Sequence, residues 1–145
     1  MKRVLIVLLV ATCAAACSYG LTTEKLRHTS SPRGVTARIT TSSTEFRGEL
    51  VQVQDAGLLI LTSSRGSDRA PEHERLLRVV PFGAIRSTAF EQLGYAYHIS
   101  DGRPPNAQTR ERLRLVSRFP YGLAPELLKQ LLDSCGQAAV AGVQP

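Results

Sequence analysis

The sequence predicts an α+β fold, a small five-stranded β-barrel followed by one or two C-terminal helices. Three observations carry that expectation. Between Val35 and Phe90, short apolar stretches alternate with polar residues at a period of two and are separated by turn-forming residues. Gly48 interrupts the second stretch, where a missing side chain lets a strand curl toward closure. Beyond Pro125, the residues Leu127, Leu128, Leu131, Leu132 and Cys135 recur at the spacing of one helical face.

The chain opens with Lys2 and Arg3, then an apolar run from Val4 to Val10 that fades into Ala14-Ala15-Ala16-Cys17. Positive charge, a short apolar core and small residues together make an export signal. Val4 to Ala16 is thirteen residues, against the roughly 20 that span a bilayer as a helix. Residues 1–16 are therefore expected to be a removed signal rather than a permanent span, with cleavage between Ala16 and Cys17. Ala14-x-Ala16 also satisfies ordinary secretory cleavage, and a buried N-terminal strand is the third reading.

Residues 17–34 are polar, close with Ser30-Ser31-Pro32-Arg33-Gly34, and read as a tether with one helical turn around Thr23–His28. The barrel is expected over 35–92. Val35, Ala37 and Ile39 alternate with Thr36, Arg38 and Thr40 in its first strand. Phe46 to Gln54 forms the second, Asp55-Ala56-Gly57 a tight turn, and Leu58-Leu59-Ile60-Leu61 a wholly apolar third. After a charged loop over 63–73, Arg75 to Pro81 supplies the fourth strand and Arg86 to Phe90 the fifth.

Residues 93–136 are expected to be a helical extension packed on the barrel. Leu93 to His98 reads as a sheet extension or an excursion, and Asp101-Gly102-Arg103-Pro104-Pro105 ends it. Asn106 can cap a helix from Ala107 to Arg118. Arg112 to Phe119 can also be read as a strand, with Leu113, Leu115 and Phe119 on one face, but the cap and the helix formers before it favour the helix. Pro125 suits a first helical position and Gly136 a stop. Residues 137–145 read as a flexible small-residue tail.

Three resemblances follow from particular residues. Ala16-Cys17 resembles the lipobox of bacterial lipoproteins, which implies acylation of Cys17; Cys13, preceded by Thr12, is a second candidate. In that family the following residue influences sorting, and Ser18 implies an outer membrane where the cell has one. Gly48-Glu49-Leu50-Val51-x-Val53-x-Asp55-x-x-Leu58-Leu59-Ile60-Leu61, with Val79-Val80-Pro81-Phe82-Gly83-Ala84-Ile85, resembles the SH3-like and Sm-like small barrels. Where Sm proteins read RNA, this chain holds Leu59 and Pro81-Phe82, so the resemblance implies a fold and no RNA-binding function. Arg118-Phe119-Pro120-Tyr121-Gly122-Leu123 is similar to a stretch of small uncharacterised bacterial lipoproteins.

The chain carries a net charge of +6. Removal of residues 1–16 takes two of its 18 basic residues and none of its 12 acids, leaving +4. Such a charge favours anionic surfaces or simply a solvated face. Arg65, Arg69, Arg75, Arg78 and Arg86 are candidates for a polymer-binding edge, and Tyr95 and Tyr97 for a stacking platform or a covered core edge. His28, His73 and His98 lie far apart, and Glu72-His73-Glu74 is too contiguous to converge on a metal. No nucleophile elbow or phosphate-cradling loop appears, so no catalytic residue, metal or cofactor is assigned. Cys135 reads as a buried thiol at a helix end, or as a disulfide partner for Cys17 where that residue is not lipidated.

The function expected is that of an exported, lipid-anchored cell-envelope binding or scaffold module. Its partners are the membrane, through the anchor, and another envelope protein. The alternative is a soluble secreted binder of anionic polymer using an arginine-rich face. A nucleic-acid partner is disfavoured by the export signal.

Overall fold

A computed structural model of the chain describes residues 33–63, 74–94 and 97–143. Five strands fall where the alternation places them: β1 (Thr36–Thr41), β2 (Glu45–Val53), β3 (Gly57–Ser63), β4 (Arg75–Pro81) and β5 (Ile85–Phe90). Two helices follow, α1 (Ala107–Leu115) and α2 (Pro125–Ser134), and a two-residue strand, β6 (Ala141–Gly142), comes last. The class is α+β. No helix among the described residues is long and apolar enough to cross a membrane.

The expected five-stranded closed barrel is not what forms. The sheet has six strands in the order β5-β1-β2-β3-β4-β6 and is open. All neighbours are antiparallel except β4 and β6. The reason lies at the two edges. β4 and β5 are joined by the one-turn 3-10 segment Phe82–Ala84, yet each satisfies its outer edge elsewhere. β4 pairs with β6, and β5 is bridged through Ser87 to Ser100. Edges covered by chain that arrives later need no mutual closure.

The sheet is packed on both faces. Ile39, Leu50, Val53, Leu58, Ile60, Val80, Phe82, Ile85 and Phe90 form an inner core with Ile99 and Leu113. Val51, Leu59, Leu61 and Leu77 form a second core under Leu131 of α2 and its C-cap residue Cys135. This explains the unbroken apolar run of β3, whose Leu58 and Ile60 face one core while Leu59 and Leu61 face the other.

The bend of β2 is displaced from its expected site. Its register slips between Leu50 and Gln52, so Val51 is the extra residue of a bulge and turns into the second core. Gly48 is instead a point of close packing, where a Cβ would stand 2.6 Å from Ile60 Cγ2 and from the Leu61 carbonyl oxygen.

Residues 107–119 follow the helical reading as far as Leu115, three residues short of the expected end, and no strand forms in them. Asn106 Oδ1 accepts a 2.8 Å hydrogen bond from Thr109 N and starts α1. Past Leu115 the chain turns, with Ser117 N donating to Arg114 O, and Arg118 N and Phe119 N each donate at 3.0 Å to the carbonyls of Leu50 and Val51. The connector thereby caps the β2 bulge. α2 begins at Pro125 and ends at Ser134, and Gly136 beyond its C-cap, with a φ of +65°, closes a Schellman turn. In that turn Gly136 N donates to Asp133 O and Gln137 N to Leu132 O. Gln137–Val143, expected as a tail, returns to β4.

Candidate functional site

Two surfaces and one buried cluster stand out. The cluster begins with Glu49, an acid inside the most apolar stretch of β2, and its side chain is only 9% exposed. Glu49 Oε1 accepts a 2.7 Å hydrogen bond from Gly34 N. A Cβ at residue 34 would lie 2.0 Å from the Leu50 carbonyl oxygen and 2.7 Å from Arg118 N, so glycine alone lets the incoming chain approach this closely. Glu49 Oε2 stands 3.8 Å from Arg75 Nη1 and 3.9 Å from Arg118 Nη1, and accepts no hydrogen bond among the described residues.

Burial pushes the Glu49 carboxyl above its ordinary range; the Gly34 N–H and the guanidinium groups of Arg118, Arg75 and Arg33 pull it back in part. The ion pairs are too long to repay the lost hydration in full. What the cluster does is mechanical: one carboxylate holds the chain entry at Gly34 against β2, close to arginines of β4 and of the α1–α2 connector.

The first surface is an arginine-lined groove that crosses β1, β2, β3 and β4. Arg38, Arg47 and Arg78 line it, with Glu45, Phe46, Glu74 and Thr62. Arg38 and Arg47 stand directly opposite across β1 and β2. Their mutual repulsion is offset by Glu45, 3.8 Å from Arg38, and by Glu91, which pairs with Arg47. The Arg78 guanidinium lies over the Phe46 ring at 5.9 Å from its centroid, and its Nε is buried without a hydrogen-bond acceptor among the described residues.

The second surface lies at the α1–α2 connector. Tyr121 is 96% exposed and Leu115 62% exposed. The two share a groove with Gln52, Phe119, Pro120 and Gly122. Isolated exposed apolar residues are ordinary, but an aromatic held out by Pro120 and by Gly122, at φ +106°, is a presented group.

The sequence-derived candidates are placed as follows. Ala16, Cys17, His28, Arg65, Arg69, His73 and Tyr95 lie outside the described residues. Arg75 is buried beside Glu49 and lines the groove together with Arg78, whereas Arg86 is exposed on β5, across the strand order from β4. Tyr97 packs against the inner core, and His98 Nδ1 hydrogen-bonds the Thr88 carbonyl. Cys135 is buried in the second core. Among the described residues no three His, Cys, Asp or Glu side chains gather in a way that could hold a metal ion.

Glu49, Arg118 and Tyr121 emerge only from the structure as site residues. Glu49 carried a signal, a charge among residues expected to be buried; Tyr121 carried another, its place between a proline and a glycine. No family model, curated protein or solved structure matches the chain.

Proposed function

We propose that the protein is an exported cell-envelope binding or scaffold module, held to a membrane by acylated Cys17 and docking another envelope protein. The observation that carries this reading is the leader: Lys2-Arg3, the apolar run Val4–Val10, then Ala16-Cys17. The exposed Tyr121 and Leu115 beside Pro120 supply a contact surface of the aromatic kind that anchors protein interfaces. On this reading the domain performs no catalysis. Kinship with the SH3-like and Sm-like barrels is part of the proposal, and the bulged β2 and the single 3-10 turn between β4 and β5 support it. Leu59 and Phe82, which stand where Sm proteins read RNA, are both buried, in keeping with a function other than RNA binding.

Mass spectrometry of protein from the membrane fraction should find a chain beginning at diacylglyceryl-modified Cys17. Cys17→Ala should move the protein out of that fraction; an intact Met1 in the membrane-bound protein would defeat the reading. Tyr121→Ser should leave folding unchanged, since the ring is solvent-exposed. It should lower crosslinked capture of the partner about thirtyfold, as for loss of an interface aromatic contributing about 2 kcal/mol.

A second reading, binding of an anionic polymer, is favoured by one observation: Arg38, Arg47 and Arg78 converge on a single groove. Salt separates the two. Polymer affinity should fall steeply between about 50 and 200 mM salt, whereas docking through Tyr121 should hardly change.

A further inference from the structure

We propose that the outer edge of β4 is a strand-addition site for an extended segment of a partner protein, and that the chain's own C-terminal residues occupy it as a removable cover. The cover is held lightly. β4 meets β3 along seven register pairs, from Gly57↔Pro81 to Ser63↔Arg75, but meets β6 at only two, Arg78↔Ala141 and Val79↔Gly142. One further rung is made by a side chain. Gln137 Oε1 accepts a 2.6 Å hydrogen bond from Leu77 N while Gln137 Nε2 donates to Leu77 O at 3.2 Å. A side-chain amide thus imitates the main chain of a neighbouring strand. Beyond it, Val143 N donates to Val79 O at 3.1 Å.

No residue from Gln137 to Val143 is fully buried. Val140 packs against the α2-side core and Val143 against the inner core, each half-buried. An element with so few buried contacts opens well before the sheet does. When it opens, the Leu77 and Val79 main-chain groups and two shallow apolar sites are exposed together. Main-chain groups give affinity in strand addition, and side-chain sites give selectivity.

The cover is its own template for the occupant. The ligand is an extended peptide running parallel to β4, with apolar residues three apart in the places of Val140 and Val143 and small residues between them. A true strand would replace the Gln137 side chain with main-chain pairing, so it competes on favourable terms. The apparent affinity is reduced by the fraction of molecules whose cover is closed. The proposal stands on the sheet edge alone and is independent of export or lipidation.

The test uses the full chain and a labelled nonapeptide with the sequence of Gln137–Pro145. Hydrogen exchange of the unaltered protein comes first: the amides of Leu77 and Val143 should exchange about a hundredfold faster than that of Ile60 in β3. Gln137→Ala removes the amide rung and should bind the peptide about tenfold more tightly than the unaltered chain. A peptide with aspartate in place of both valines should not bind. Equal protection of Leu77, Val143 and Ile60 overturns the proposal, as does peptide affinity unchanged by Gln137→Ala. A dimer of the Gln137→Ala chain that excludes the peptide gives the edge to a second copy and overturns the partner assignment.

Discussion

Leu113→Ala is expected to cost about 2–5 kcal/mol of folding stability, read as a shift in the denaturation midpoint at unchanged slope. Leu113 is fully buried in the inner core and is the one buried residue of α1. The helix has little else to hold it. Its Asn106 cap is local, and its Arg110 ion pair reaches Asp55, a nearly fully exposed partner that adds little. Truncation leaves a cavity beneath the sheet and loosens the helix. It also loosens the connector, whose Arg118 and Phe119 amides cap the β2 bulge. Leu115→Ala, two residues away on the exposed side, should stay within about 0.5 kcal/mol. Equal losses at the two positions would show that α1 is not docked through Leu113.

Glu49→Ala should cost about 1–3 kcal/mol, because the Gly34 N–H loses its acceptor where the chain enters the fold. Glu49→Gln keeps an oxygen at that place and should recover most of the loss. The charge itself is a burden, since burial raises the carboxyl pKa above its ordinary value. The sign follows from proton binding: a raised native pKa means the folded chain holds this proton at a pH where the unfolded chain has released it. Stability contributed by Glu49 is therefore greatest below about pH 4.5, falls as pH rises through the interval up to the raised value, and is lowest above it. Unfolding curves collected across that interval should show this slope in the unaltered protein and not in Glu49→Gln. An opposite slope would mean that Arg75 and Arg118 outweigh the loss of hydration.

Much of this fold is legible residue by residue. Each strand from β1 to β5 begins and ends within two residues of its alternating pattern, because turn residues such as Asp55-Ala56-Gly57 sit between them. α2 is bounded by Pro125 and Gly136 for equally local reasons: a fixed φ without an N–H at one end, a positive φ at the other. The bulge at Val51 was not legible, since alternation in Leu50-Val51-Gln52-Val53 is compatible with a regular strand. What forces the slip is a demand for apolar residues on both faces of β2, and that demand arises only once α2 covers the second face.

By itself, the sequence determined strands β1–β5 and α2 with their approximate boundaries, and the apolar N-terminal run with its cysteine, because turn chemistry, capping and periodicity act over a few neighbouring residues. Only the tertiary structure decided that the sheet stays open, that Glu49 is buried beside Arg75 and Arg118, and that Gln137 completes β4. Those outcomes join groups distant along the chain, 60 residues apart for Gln137 and Leu77. No local preference reports such a pairing, because its free energy is realised only when the whole sheet brings the two groups within hydrogen-bonding distance.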